Sequence, residues 1–291
     1  MRIATSALQR SVVQAVQSNL QRIARAQAQI ATEKRIQTVS DDPVAASEVM
    51  ADNQELRATD QYRRNLSTVS TRADLEESVL SQLTFLIERA QELATAQASG
   101  TASPATRLVA KAEVDRIIEQ VVQLGNTKLG REYIFGGFQT DAAPFAATTG
   151  LYSGTDDVRN LEIGRGQLTL ANNNGKTIFA DSGVMAGLTA LRDGLDTGTG
   201  DAVRLAMPVL GTSFDAVQSL IGDVGGRMNQ LESVSGSLDA LSMSVGIHKS
   251  AREGVDLSTS TTELLAAQTA LQAALLSASR VLNVSLAQYL T

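Results

Sequence analysis

The chain has 291 residues, 43% of them hydrophobic and 19% charged, with a net charge of −6, no cysteine and one histidine. This composition excludes disulfide scaffolds, thiolate metal sites and cysteine nucleophiles, and a lone His248 leaves no histidine-rich metal centre. The acidic balance gives no general attraction to nucleic acid or to an anionic membrane, and no apolar run approaches the length that spans a bilayer.

Aromatic residues make up only 3%, with no tryptophan. Aromatic side chains usually carry much of a globular core, so this core must rest on Ala, Val, Leu and Ile, which suits helices packed side by side. The length predicts two or more folding units.

The first forty residues are predicted as one amphipathic helix. Val13, Val16, Leu20, Ile23, Gln27 and Ile30 recur at alternating three- and four-residue steps, the seam of a coiled coil. No secretory hydrophobic region opens the chain, so export is expected to proceed without a cleaved signal peptide. The pattern stops at Val39-Ser40-Asp41-Asp42-Pro43, where either aspartate can cap a new helix with Pro43 in its first turn.

A second long helix is predicted from there to about Ser99. Leu66, Val69, Ala73, Leu80, Leu83, Ile87, Ala90 and Ala94 keep the seam, broken only by Glu76. Ser103-Pro104 starts a third helix with Ala110, Val114, Ile117, Val121 and Leu124 on one face, and Gly125-Asn126 weakens or ends it. Long helices joined by a short turn imply an antiparallel pair.

The middle of the chain differs. Six of its ten aromatics fall between Tyr133 and Phe179. Residues 159–163 and 167–171 flank Gly164-Arg165-Gly166 as a hairpin. Asn172-Asn173-Asn174-Gly175 predicts a second hairpin, joining Leu168-Thr169-Leu170 to Thr177-Ile178-Phe179. A β-rich insertion is therefore expected over 139–182, too small for a large core of its own and either packed on the helices or standing as a minor knob.

Helical patterning returns after Ser182, with a loop expected from Asp193 to Gly200. Phe214, Val217, Ile221, Val224, Met228, Leu231, Leu238 and Val245 form the next seam. Gly222, Gly225 and Gly226 mark either a break in it or a close helix contact. The last segment places Leu264, Leu271, Leu275, Leu282 and Tyr289 on one stripe, widened by Leu265, Leu276, Leu286 and Leu290. Between Val255 and Thr291 its charged residues are Asp256, Glu263 and Arg280. A helix this uncharged and this broadly apolar requires partners.

The residue patterns offer no chemistry to set against this. Asp156-Asp157 and the Asp193–Asp201 stretch lack the alternating ligands of a calcium loop, and Gly164-Arg165-Gly166 lacks the strand-to-helix setting of a phosphate cradle. Glu88, Glu92 and Glu113 are expected as salt-bridge partners of Arg89, Lys111 and Arg116. No catalytic, cofactor-binding or metal-binding residue is assigned, and neither nucleic acid nor membrane is expected as a partner.

The expected fold is mainly α: an elongated antiparallel helical bundle or coiled coil of paired N- and C-terminal helices with a small β-rich insertion. Residues 1–43 and 251–291 would form terminal coiled-coil helices, 44–138 and 183–250 a helical rod, and 139–182 the insertion. Apolar surface left on a terminal pair must be buried by other chains. Repeated burial of one surface is head-to-tail assembly, a ring or a helical filament. The assembly interface is therefore expected on Val13, Val16, Leu20, Ile23, Ile30, Leu264, Leu271, Leu275, Leu282 and Tyr289.

Several motifs also carry a family resemblance. Gln29-Ile30-Ala31-Thr32-Glu33-Lys34-Arg35-Ile36 with Ser40-Asp41-Asp42-Pro43-Val44-Ala45-Ala46 resembles the N-terminal signature of the bacterial flagellin superfamily. Glu33 replaces a glycine usual there, which implies a helical residue in place of a tight turn. Ile87–Ala94, Val224–Glu232 and Thr269–Leu275 resemble further parts of the same superfamily. Tyr133, Phe135, Gly136 and Gly137, within Arg131–Thr140, look like its hook-associated, junction-forming branch.

The resemblance implies a non-enzymatic structural subunit joining the flagellar hook to its filament, extracellular, with the terminal helices in an inner tube and the insertion facing outward. It implies self-association, contact with the first hook–filament junction protein and with flagellin, type III export, and an export chaperone on 256–291. The rival expectations are a short filament flagellin and, in another class, a coiled-coil adhesin whose insertion binds a ligand.

Overall fold

The computed structural model describes residues 2–99, 102–147 and 150–287, and within them the side chains from Arg10 to Ser279. The described helices are α1 (Arg2–Thr32), α2 (Pro43–Gln97), α3 (Pro104–Gly125), α4 (Val184–Asp196), α5 (Gly200–Glu253) and α6 (Leu257–Ala287). Between α3 and α4 lie the strands β1 (Lys128–Leu129), β2 (Glu132–Tyr133), β3 (Asn160–Gly164) and β4 (Gln167–Leu170), then a π-helical turn, Lys176–Asp181. The chain divides into two compact units, Met1–Arg57 with Ser242–Thr291, and Ala58–Leu241.

In the unit Ala58–Leu241 the helix seams are regular. On α2, Val69, Ala73, Glu76, Leu80, Leu83, Ile87, Ala90 and Ala94 are buried at alternating four- and three-residue steps. On α5, Val203, Leu210, Val217, Val224, Leu231 and Leu238 are buried at every seventh position. Both are the repeats that keep one face of a helix against a neighbour. The buried faces of α3 (Ala110, Val114, Ile117, Val121) and α4 (Val184, Leu188, Leu191, Leu195) join the apolar residues between Ala73 and Ala94 and between Val203 and Val224 in one continuous cluster. Ser103 caps α3, its Oγ accepting from Thr106 N at 3.2 Å.

Two features of α5 and α4 differ from expectation. Gly222, Gly225 and Gly226 neither break α5 nor mark a close helix contact, since a Cβ at each would meet open space. Helix α4 continues to Asp196, shortening the expected loop.

The first predicted hairpin forms as β3–β4, with Gly166 at φ +70° in its turn. It packs on the helices, through Ile163 against Val69 and Leu231 and through Asn65 Nδ2 donating to Glu162 O at 2.7 Å. The second predicted hairpin does not form. Its asparagines instead bind elsewhere: Asn172 Nδ2 donates to Ile134 O at 2.5 Å, Asn173 Nδ2 to Glu76 Oε1 at 2.6 Å, and Asn174 Oδ1 accepts from Thr177 N at 2.9 Å. These bonds turn the segment into the π-helical turn and bury Ile178 and Phe179. The other hairpin is β1–β2, closed by Gly130 at φ +63°, with the Lys128 ammonium 4.4 Å above the Tyr133 ring.

In the unit Met1–Arg57 with Ser242–Thr291, α1 and α6 pack together. Helix α1 stops at Thr32, short of the forty residues expected, because the next segment pairs with the chain entering α6. Arg35 N donates to Glu253 O at 2.7 Å and Val255 N to Glu33 O at 3.1 Å, around an antiparallel bridge between Lys34 and Gly254. Glu33 adopts φ +56°, the one left-handed non-glycine among the described residues. The helical residue implied by the missing glycine is therefore not found; the tight turn survives with a side chain in it. Glu33→Gly is expected to stabilise this unit by about 1 kcal/mol, because the left-handed conformation costs a side-chain-bearing residue about that much. Chemical denaturation followed by a probe on α1 checks it.

Candidate assembly interface

The face that α1 turns to α6 is offset from the predicted seam. Ala26 is 4% exposed, and Val12, Val16, Ile23 and Ile30 are half-buried on the same line, while Val13 is 55% and Leu20 50% exposed. On α6 the inward line is Ser260, Leu264, Ala267, Leu271, Ala274 and Ala278, with Ala267 only 1% exposed. Alanine and serine at the tightest layers let the two backbones approach closely. Val16, Ile23, Ile30, Leu264 and Leu271 thus serve the chain's own helix pair. Val13, Leu20 and Leu275 face away from it, with Leu275 52% exposed; the Leu282 side chain and Tyr289 lie outside the described residues. Leu265, at 68%, and Leu276, at 66%, widen the outward surface. Ala26 and Ala267 escaped the sequence reading because alanine carries little hydrophobic weight; the polar Gln27 in the supposed seam was the signal against it.

Asp41, Asp42 and Pro43 sit where the ends of this unit's helices meet. Asp41 accepts from Thr38 N at 2.8 Å and Gln37 N at 3.1 Å, and Asp42 caps α2 by accepting from Ala45 N at 3.1 Å. Pro43 takes the first helical position. Arg35 pairs with Asp42 at 3.3 Å, Lys34 with Glu253 at 3.4 Å, and Arg252 with both Glu48 and Asp52 at 2.8 and 2.7 Å.

Hydrogen bonds hold three carboxyls of this region below the usual range: from Thr38 onto Asp41, from Ala45 onto Asp42, and from Thr259 onto Asp256, which caps α6. A carboxyl lowered in the folded state adds stability that is full above its unfolded pKa and disappears as pH falls through the folded one. Helices α1 and α6 are therefore expected to loosen in acid. Amide exchange corrected for intrinsic rate at pH 6 and pH 3 checks it.

The motif around residue 135 is built differently. Ile134, Phe135 and Gly136 are buried and Tyr133 half-buried. A Cβ on Gly136 would lie 2.1 Å from Gln139 O, and Gly137, at φ +68°, would place one 2.3 Å from Thr155 Oγ1. The paired glycines are required for this close backbone approach. Phe135 meets the Phe179 ring edge-on at 5.6 Å, Phe145 meets Phe179 at 5.1 Å and Tyr152 at 5.2 Å. Burial pushes the Tyr152 phenol up to about 12, and its hydroxyl donates to Thr155 O at 2.7 Å.

The motif therefore joins the main core of the unit Ala58–Leu241, where Ile134, Phe135, Phe145 and Phe179 share one cluster with the buried helix faces. A Cβ on Gly175 would come within 2.8 Å of Phe145 and 2.9 Å of Tyr152. Gly175→Ala is expected to cost about 1–3 kcal/mol by overpacking, measurable as a lowered denaturation midpoint.

Elsewhere the expected glutamate pairs form in part: Arg89 binds Glu92 and Glu113, both at 2.8 Å, whereas Lys111 takes an aspartate, Asp196, instead. His248 is exposed on α5. Among the described residues no helix is long and apolar enough to cross a membrane, and no group of three His, Asp or Glu residues is placed to hold a metal ion.

Residues 3–140 match the bacterial flagellin N-terminal helical region. Over 152 residues, 52% of this chain and 48% of the relative, the sequence is 34% identical to flagellar hook-associated protein 3 of Salmonella typhimurium. Over 171 residues, 56% and 54% of the two chains, it is 32% identical to the Escherichia coli protein of the same name. The chain spans about half the length of the curated relatives it matches. Its fold is similar to the crystal structure of Bacillus cereus FlgL, with a TM-score of 0.60 and 24% identity over 69% of this chain and 99% of that one.

Proposed function

We propose that this chain, whose residues 3–140 match the bacterial flagellin N-terminal helical region, is a member of that family and a structural, non-enzymatic subunit of the flagellum that joins hook to filament. The observation that carries this is the apolar surface left outside the α1–α6 pair, on Val13, Leu20, Leu265, Leu275 and Leu276. Such a surface on both chain ends favours burial by neighbouring subunits. The names of the two relatives, flagellar hook-associated protein 3, support a place at the hook.

In this role residues 1–43 and 251–291 line the inside of the assembly, 44–138 and 183–250 surround them, and 139–182 faces outward. The subunit contacts the first hook–filament junction protein on one side and flagellin on the other. It leaves the cell through the flagellar type III apparatus, its segment 256–291 held until then by an export chaperone. The uncharged outer face of α6 supports that last assignment, since a chaperone must shield it before export.

Deleting the gene tests the proposal. Bare hooks, with filament subunits released into the medium, are expected, and re-expression of the chain restores attached filaments. Normal filaments in the deletion strain would contradict it.

A further inference from the structure

We infer that Asn174-Gly175 is a self-modification site whose chemistry the fold switches off. The asparagine deamidates spontaneously in the unfolded chain and is held intact in the folded one, and its products do not fit the segment they would have to rebuild.

These residues form the one Asn-Gly step in the chain. At such a step the Gly175 amide nitrogen, once deprotonated, attacks the side-chain carbonyl carbon of Asn174. A cyclic imide closes and ammonia leaves. Water then opens the ring at either carbonyl, giving aspartate or isoaspartate. The net change is amide plus water to acid plus ammonia, with no oxidant or reductant. Glycine leaves the attacking nitrogen uncrowded and the backbone free to turn towards the side chain.

The folded chain denies that geometry. Asn174 is 5% exposed, its Nδ2 donates to Asp156 O at 2.6 Å, and its Oδ1 accepts from Thr177 N at 2.9 Å and Thr177 Oγ1 at 3.0 Å. The carbon under attack is therefore fixed in place. The nucleophile is occupied as well, because Gly175 N donates to Phe135 O at 2.9 Å. Removing its proton would build an uncompensated charge in a buried site. Both flanks are tethered, Asn173 to Glu76 and Lys176 to Asp156. Reaction in the folded chain must wait for this segment to open locally.

Neither product fits. An ionised aspartate at 174 sets an oxygen against Asp156 O where Nδ2 now donates, leaving two buried acceptors without a proton between them. Isoaspartate lengthens the main chain by an extra methylene just before Gly175. There is no slack there: a Cβ on Gly175 would already lie 2.8 Å from Phe145 and 2.9 Å from Tyr152. The chemistry does not depend on the junction role. On the export route proposed above, it would mark each chain by the time spent waiting unfolded.

The test incubates the full-length chain at neutral pH, folded and in guanidinium chloride, and follows each asparagine by peptide mass spectrometry. In the unfolded chain, amide loss at Asn174 is expected to run about ten-fold or more faster than at Asn53, Asn65 and Asn229, whose neighbours Gln54, Leu66 and Gln230 crowd the nucleophile. Folding is expected to slow the loss at Asn174 by about a hundred-fold or more. Asn174→Asp supplies the aspartate product without ageing. In that variant amide exchange at Gly175 and Thr177 is expected to quicken about ten-fold or more, and failure of the variant to fold would carry the same meaning. Equal loss in folded and unfolded chain, loss at Asn174 no faster than at the other three, or wild-type exchange in Asn174→Asp would overturn the inference.

Discussion

Glu76→Leu is expected to destabilise the unit Ala58–Leu241 by about 3–5 kcal/mol, the cost of leaving one member of a buried ion pair alone. Glu76 is fully buried in the α2 seam, 3.1 Å from the Arg227 guanidinium on α5, which is 9% exposed. Its carboxylate also accepts from Asn173 Nδ2 at 2.6 Å and from Asn173 N at 3.3 Å. One carboxylate thus ties together α2, α5 and the segment that replaces the second expected hairpin. A register slip in any of the three would strand it.

Replacing both partners, Glu76→Leu with Arg227→Met, is expected to recover most of the loss. Urea denaturation of the single and double variants distinguishes this from a seam that tolerates any side chain, in which the single variant would cost little. Burial outweighs Arg227 and holds the Glu76 carboxyl above its ordinary range. A raised folded pKa contributes stability that is fully present below the unfolded value and lost as pH rises through the folded one. The wild type should therefore gain on the double variant as pH falls, opposite in sign to the acid loosening expected of α1 and α6.

The second large effect concerns assembly. Leu265→Asp with Leu275→Asp is expected to abolish filament attachment while shifting the denaturation midpoint of the isolated chain very little. Both residues are more than half exposed, and substitutions at exposed positions away from caps and buried networks usually fall within about 0.5 kcal/mol. In an assembled interface the same two charges would be buried without partners, which costs several-fold more. Electron microscopy of complemented deletion cells, together with melting of the purified variant, reads the two effects separately. A large drop in the melting transition would place the α6 outer face in the monomer's own core.

The helices and their seams were legible in the sequence because heptad spacing survives without aromatics. Val69 to Ala94 and Val217 to Leu238 could be read almost residue by residue. Helix starts at Pro43 and Pro104 followed from local capping chemistry, which needs no tertiary information. What local pattern did not reveal was decided by distant partners. The Asn172–Gly175 run has the strongest hairpin signature in the chain, yet Glu76 and Ile134 O claim its asparagines.

The α1 seam was right at Val16, Ile23 and Ile30 and one position off at the alternate layers, Val13, Leu20 and Gln27, because a three-or-four spacing fits two adjacent lines on a helix that is apolar over a broad arc. Only the partner helix decides which line is buried. Glu33 illustrates the same limit: its left-handed turn is imposed by pairing with residues 253–255, more than two hundred positions away.

Amide exchange along α1 and α6, measured on the purified monomer and on isolated hook–filament junctions, tests the central claim most directly. The account predicts fast exchange over residues 10–31 and 257–279 in the monomer, where the pair buries few large side chains. In the junction the same segments should slow by about a hundred-fold or more, as expected when exposed helix faces are covered by neighbours, with little change in the Ala73–Val224 core. Equal protection of both segments in monomer and junction would contradict it.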